Sequence, residues 1–214
     1  QGTEEALTKF NWLNAVVRVA YVNLAVVQNL TPPYLAFGAA VHTWPVLEEE
    51  NTWLWTYVWV GPENVPFTIH LRGHLQETHV EWSLRVTAPT AVPPLDDFLW
   101  FSGESSVESN SGYWVLNDFE DGATVPCARI GWDYPTLLNR TLAFENIEVG
   151  NPDIGDKLAY RVDGVMISVK FHDESTGVDS DVTWNAQTGA GSLKVLDYNQ
   201  GERDCWDERQ EDVI

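Results

Sequence analysis

Tryptophan is the residue type in this chain best suited to forming a ligand surface, with eleven copies among 214 residues. In the segment 52–60 an aromatic ring recurs at every second position, which predicts a strand with all its rings on one face. Such rings either fill a core or line an apolar cavity and stack on a ligand. The side chains expected to line an apolar ligand site are Trp55, Trp82 and Trp184.

Two histidines offer a candidate metal site. A hairpin that pairs residues 67–75 with 78–86 sets His74 directly opposite His79, with their Cβ atoms about 5.5 Å apart. Zinc needs three or four ligands, and Glu77 in the turn is the available third one. The alternative interpretation is a solvated histidine pair.

A second candidate metal site lies in an acidic loop. Asn151, Asp153 and Asp156 supply oxygen ligands around Gly155, as a calcium-binding loop requires. The loop lacks the closing bidentate glutamate of an EF-hand. We therefore expect either a structural calcium ion or a solvated loop.

Catalytic motifs give no positive signal. The sequence contains no GxSxG nucleophile elbow, phosphate-binding loop or dinucleotide fingerprint. Aspartate and glutamate are abundant, but nothing selects the carboxylate pair that a glycosidase needs. We expect a protein that is not an enzyme, with a glycan-acting enzyme as the third hypothesis below.

The two cysteines, Cys127 and Cys205, are far apart and form no CxxC motif. In an oxidising compartment they are expected to form one disulfide that holds the C-terminal tail against a strand. Two isolated thiols are the alternative.

The N-terminal segment 4–30 has apolar residues at every third or fourth position, which predicts a helix, with a valine-rich strand over 15–27 as the alternative. Thr3 is the expected N-cap, and Pro32-Pro33 is the expected end. Asn14 and Arg18 interrupt the apolar run, so no transmembrane segment is expected.

After residue 50 the apolar period changes to two, and turn signals recur about every ten residues. The hairpin around 76–77 pairs Leu71 with Trp82, and an Asp163-Gly164 turn pairs Val162 with Val165. Two more turns continue this meander. Their predicted pairs are Val182 with Val169, Trp184 with Ile167, Leu193 with Trp184 and Val195 with Val182.

The expected fold is mainly β: an antiparallel up-and-down meander of about ten or eleven strands, forming a barrel or a curved half-barrel with the helix packed on it. A two-sheet β-sandwich is the alternative. We expect one domain over 1–214, with the helix in 1–33, the meander in 50–198 and an acidic tail in 199–214. The other expected strands are 52–60, 97–102, 112–117, 125–133 and 137–149.

The formal charge of −20 arises from 32 acidic and 12 basic residues. This charge repels nucleic acid, which is excluded as a partner. Because the chain begins at Gln1 without a methionine, we expect an exported protein from which a signal peptide has been removed.

Three segments, 97–106, 111–118 and 184–192, resemble parts of uncharacterised exported bacterial lipoproteins. A helix followed by a long meander is also similar to the half-barrels of lipoprotein carriers, which hold acyl chains. The resemblance implies a periplasmic, cell-surface or extracellular location. Together these observations favour a binding or carrier module for a hydrophobic small molecule, with a self-associating structural or assembly protein of the cell surface as the second hypothesis.

Overall fold

The structure, a computed structural model, describes residues 8–40, 42–60 and 64–213, and for residues 21–34 it describes the backbone alone. Its strands form one antiparallel sheet of fourteen strands whose order follows the sequence, with β1 and β14 at the two ends. This confirms the mainly β meander with one helix among the described residues, although the expected strand number of ten or eleven is too low. The sheet is not closed, so the expected barrel and the two-sheet sandwich are both wrong. The elements are α1 (Phe10–Ala40), β1 (Val46–Glu49), β2 (Thr52–Val60), β3 (Pro66–Leu75), β4 (His79–Ala88), β5 (Leu95–Ser106), β6 (Ser111–Glu120), β7 (Ala123–Thr136), β8 (Asn139–Asn146), β9 (Lys157–Asp163), β10 (Met166–Asp173), β11 (Val178–Asn185), β12 (Gly191–Lys194), β13 (Arg203–Trp206) and β14 (Asp212–Val213).

The described residues divide into two compact units. The N-terminal unit comprises residues 28–40, 42–60, 64–133 and 146–151, and the C-terminal unit comprises residues 8–27, 134–145 and 152–213. Each unit is described by itself. Whether the whole chain behaves as one domain stays a prediction.

Helix α1 differs from the expected helix at its end. It runs through Pro32-Pro33 to Ala40, although proline in a helix interior typically costs about 3 kcal/mol or more. The residues after the prolines are held by packing, since Ala36 and Ala40 are buried and Phe37 contacts two tryptophans. No helix in the part of the chain that the structure describes is long and apolar enough to cross a membrane.

The start of α1 is capped by a residue distant in sequence. The Asp212 carboxylate accepts hydrogen bonds from the backbone N–H groups of Phe10 (3.1 Å) and Asn11 (2.9 Å) and from the Thr8 hydroxyl. These contacts satisfy donors that every helix leaves unpaired in its first turn. The expected cap, Thr3, lies outside the described residues.

The N-terminal unit carries strands β1 to β7. Its core side chains include Ile69, Leu71, Leu84 and Val86, which lie on the predicted apolar face of the β3–β4 hairpin, together with Phe101, Leu116 and Ile130. The predicted β3–β4 register is wrong by two residues, because Leu71 pairs with Leu84 and Gly73 pairs with Trp82. A two-residue shift leaves each side chain on its predicted face. The Trp82 indole occupies the space over Gly73, where a Cβ would lie 2.8 Å from its ring.

The C-terminal unit carries β8 to β14 and the first turns of α1. The β10–β11 register is confirmed, with Val169 opposite Val182 and Ile167 opposite Trp184. The registers of β9–β10 and β11–β12 are again wrong by two residues. In the first case the turn residues are Gly164 and Val165, and Gly164 adopts φ 60°, as the first position of a type II′ hairpin turn requires.

The core of the C-terminal unit joins α1 to the last strands. Ala15 packs with a cluster of buried residues, Val182, Leu193, Val195 and Trp206. The meander therefore extends beyond its expected end at residue 198: within the segment expected as an acidic tail, Arg203–Trp206 and Asp212–Val213 are strands of the sheet. Charged residues dominate this segment, so it lacks the alternation of apolar and polar residues that predicts a strand. Trp206 is its buried apolar side chain.

The expected disulfide is also wrong, because Cys127 and Cys205 are free thiols. Each lies within its own set of paired strands. The Cys127 thiol donates to the Leu116 carbonyl oxygen at 3.4 Å, and Cys205 pairs with Ser192 and Val213. Burial raises the pKa of the Cys127 thiol.

Candidate functional site

A groove of about 710 Å³ lies in the C-terminal unit, and we call it the apolar groove. Its walls come from α1, from the β10–β11 hairpin and from the residues after β12. The lining apolar side chains are Val17, Val19, Val169, Phe171, Val178, Val182, Val195 and Leu196, and the polar ones are Asn14, Arg18, Asp173, Thr176, Ser180, Asp181 and Asp197.

The floor of the apolar groove is the β10–β11 hairpin. Three cross-strand pairs form it, namely Val169 with Val182, Phe171 with Ser180 and Asp173 with Val178. All six residues lie on one face, because side chains on one face of a strand alternate with those on the other. Four residues of strand separate the first pair from the last, which gives a floor about 13 Å long.

Helix α1 forms one wall of the apolar groove. Val17 is 66% exposed, and Arg18 forms an ion pair with Asp197, its Nη2 lying 2.8 Å from Oδ1. The Arg18 Nε is buried and has no hydrogen-bond partner among the described residues. This edge therefore presents an apolar surface beside a paired cation that has one donor unused.

The far end of the apolar groove is acidic. The Asp173 Oδ1 accepts hydrogen bonds from the Ser175 hydroxyl (2.7 Å) and the Thr176 N–H (3.0 Å), and these bonds lower the pKa of Asp173. Beside it, His172 bridges the hairpin: its Nδ1 lies 2.7 Å from Asp179 Oδ1 and its Nε2 lies 3.3 Å from Glu174 Oε2. The hydrogen bond with Asp179 raises the pKa of His172.

Trp184, expected to line a ligand site, packs beside the core of the C-terminal unit. It borders a second cavity of about 350 Å³ with Trp12 and Trp206. The Trp206 Nε1–H donates to the Gly189 carbonyl oxygen at 2.7 Å. Trp184 therefore lines this second cavity and is not among the residues that line the apolar groove.

Trp55 and Trp82, the other two expected ligand residues, come together in the N-terminal unit with ring centroids 5.9 Å apart. Phe37 of α1 covers Trp82 with an edge-to-face contact at 5.2 Å. The Trp82 Nε1–H donates to the Ser105 hydroxyl at 3.0 Å. These contacts are typical of a packed aromatic cluster, and the ligand-binding role of the two tryptophans stays a prediction.

The structure does not oppose the two histidines of the first metal hypothesis. His74 pairs with Glu81, and its Nδ1 lies 2.7 Å from the Thr52 hydroxyl oxygen, whereas His79 pairs with Ser106. The two-residue shift of the hairpin is the reason. His74 instead lines a polar pocket of about 340 Å³ with Glu81 and Arg72.

The residues of the calcium hypothesis are engaged in local hydrogen bonds. The Asn151 amide donates to Glu148 Oε2 at 2.7 Å, the Asp153 carbonyl accepts from the Asp156 N–H, and Asp156 Oδ1 accepts from the Glu174 N–H at 3.0 Å. In the described ranges, no three His, Cys, Asp or Glu side chains come together as a metal site would require. Calcium binding by this loop stays a prediction.

The residues of the apolar groove were not expected as a site. The alternation of Val169 with Phe171 and of Val178 with Val182 was the available signal. Ser180 and Asp173 interrupt that pattern at the open end, and the wall supplied by Val17 and Arg18 comes from a distant segment. Sequence reasoning selected tryptophans because of their size, and none of them lines the groove.

Comparison of the chain with protein-family models and with curated proteins found no match.

Proposed function

We propose that this protein is a non-enzymatic binding or carrier module that holds a hydrophobic small molecule in the apolar groove. The observation that carries the proposal is the groove itself, about 710 Å³ with eight apolar side chains on its walls. Ligand sites typically measure about 300–1,000 Å³ and combine apolar walls with a few polar groups. Solvent-exposed Val17, Phe171 and Leu196 would be covered by such a ligand.

The dimensions of the apolar groove suit one extended chain. Each buried methylene contributes about 0.8 kcal/mol, which corresponds to about a fourfold change in Kd. Affinity for a series of linear alcohols should therefore rise about fourfold per carbon and stop rising when the chain exceeds the floor of about 13 Å.

The proposal includes export. A carrier of this type would act in the periplasm, at the cell surface or outside the cell, as the resemblance to exported lipoproteins implies. The acidic surface, with a formal charge of −20, is compatible with that setting.

A groove-filling variant tests the proposal. Ser180→Trp places an indole on the floor of the apolar groove, and binding of the fluorescent apolar probe N-phenyl-1-naphthylamine should fall at least tenfold. Ser168→Trp is the matched control, because Ser168 lies on the opposite face of β10 from Val169 and Phe171. Equal probe binding by both variants, with both folded by circular dichroism, would refute the proposal.

A cell-surface assembly function is the second candidate, and one observation favours it. Trp44 is 95% exposed and precedes β1, an edge strand whose Val46 and Leu47 are also exposed. Exposed edge strands pair readily with other chains. Sedimentation velocity over a hundredfold concentration range tests this function, and a constant monomer would exclude self-association. The glycan-acting enzyme stays an untested prediction.

A further inference from the structure

The charges that line the apolar groove are unequally compensated. Three carboxylates and one guanidinium border it. Asp181 is held by Arg203, with N–O distances of 2.9 and 2.7 Å, and Asp197 is held by Arg18 at 2.8 Å. Neither pair leaves a net charge. Asp173 is the remaining carboxylate of the groove lining, and no basic side chain in the part of the chain that the structure describes forms an ion pair with it.

Asp173 is held as a carboxylate in a fixed position. Its hydrogen bonds from Ser175 and Thr176 both fall on Oδ1, and both favour the ionised form. Oδ2 takes no part in these two bonds. Because Asp173 pairs with Val178 at the end of the floor, its charge lies where an apolar chain laid along the floor would end.

We propose that the apolar groove takes a single-chain amphiphile with a cationic head group, the chain lying along the floor and the head meeting Asp173. This inference rests on the proposed function and adds the chemical class of the ligand. Asp173 is not the sole source of attraction for a cation, because the whole chain carries a formal charge of −20. A cationic amphiphile is therefore attracted during approach and an anionic one is repelled.

An anionic ligand is the competing occupant, and Arg18 is the residue that would receive it. A carboxylate head would have to displace Asp197 from Arg18. It would also enter the negative field of the whole chain.

Three probes that share one chain test the head group. Decyltrimethylammonium, decanoate and 1-decanol are titrated into the full chain by isothermal titration calorimetry at low and at physiological ionic strength. One charge pair at about 4 Å in water is worth about 1 kcal/mol, or about fivefold in Kd. We expect the ammonium to bind about fivefold or more tightly than the alcohol, and the carboxylate to bind most weakly. The differences should shrink as salt is added.

Asp173→Asn isolates the charge at the head-group position. Asparagine keeps the Oδ1 acceptor for Ser175 and Thr176 and removes the negative charge. The variant should lose about fivefold in affinity for the ammonium and nothing for the alcohol. Asp163→Asn is the control. Asp163 lies beside Arg161 at the end of the β9–β10 ladder that is distant from Asp173, and this substitution changes the total charge by the same amount.

The outcomes separate the two proposals. Failure of all three probes to bind would overturn the proposed function and this inference together. Equal binding of the three probes, or tightest binding of decanoate, would leave the proposed function standing and overturn the cationic ligand. An equal loss of ammonium affinity in Asp173→Asn and Asp163→Asn would show that the overall field, and not Asp173, selects the head group, which also overturns the inference.

Discussion

Replacing Gly103 by alanine should be among the most damaging single-methyl additions in the N-terminal unit. Gly103 lies in β5 between Trp82 of β4 and Trp114 of β6. A Cβ at this position would lie 2.0 Å from the Tyr113 carbonyl oxygen and 2.8 Å from the Trp114 Cα atom. Both are backbone atoms, so the clash cannot be relieved by rotating a side chain.

The size of the effect follows from what must move. Extra methylenes in packed cores typically cost about 1–3 kcal/mol when side chains can adjust. Here β5 and β6 must separate, so Gly103→Ala should lower the free energy of unfolding by about 3 kcal/mol or more. Gly131→Ala is the matched control, because the nearest atom to its Cβ would be 3.8 Å away. That variant should be neutral or gain about 0.5–1 kcal/mol, since glycine in a strand is destabilising relative to alanine.

Urea unfolding followed by tryptophan fluorescence measures both variants, and the m-value checks that the transition is comparable. Gly103→Ala should lower the midpoint clearly, with m unchanged, while Gly131→Ala should not. If the midpoint of Gly103→Ala lay within error of the parent chain, Gly103 would not occupy the close approach between β5 and β6. The β4–β5–β6 register described above would then be wrong.

Three further predictions concern the ends of the C-terminal unit and the thiols. The hydrogen bond with Asp179 raises the pKa of His172, so protonated His172 stabilises the folded chain. This stabilisation should be complete below pH ~6.5 and should be lost as the pH rises through the folded-state pKa. Urea unfolding midpoints measured across this pH range test the prediction. Cys127 and Cys205 should titrate as two thiols per denatured chain, and reductant should not change the melting temperature. Asp212→Ala should cost about 1–2 kcal/mol, because it removes the cap of α1; urea unfolding measures this loss.

Each of these predictions has a control and a contradicting result. His172→Gln should abolish the pH-dependent loss, and an unchanged profile would assign it to another group. A thiol count of zero without reductant would mean that the disulfide forms. Glu208→Ala, an exposed change in the same C-terminal segment as Asp212, should leave the unfolding midpoint unchanged. Equal losses in the two variants would rule out capping.

The faces of the strands could be predicted from sequence, whereas their registers could not always be. A hairpin register that shifts by two residues keeps every side chain on its face, so the apolar pattern alone cannot detect it. Close packing selects among these registers: Trp82 pairs with Gly73, where its ring has room, and not with Leu71. Trp184 likewise pairs with Gly191 and not with Leu193. Tryptophan–glycine opposition is therefore a usable register signal for this chain.

The candidate site was harder to predict because distant segments build it. Asp212 caps a helix that begins at Phe10, and the apolar groove combines Val17 of that helix with Phe171 of β10. Neither contact leaves a local pattern in the sequence. The continuation of α1 past Pro32-Pro33 likewise depends on contacts between distant segments, because Phe37 packs against tryptophans of β4 and β6.

Hydrogen–deuterium exchange with and without saturating decyltrimethylammonium tests the central claim most directly. The ligand should slow exchange in peptides covering β10, β11 and the first turns of α1, while peptides containing Trp55 and Trp82 should not change. Protection confined to the Trp55–Trp82 cluster, or binding without protection in β10 and β11, would contradict the assignment of the apolar groove as the ligand site.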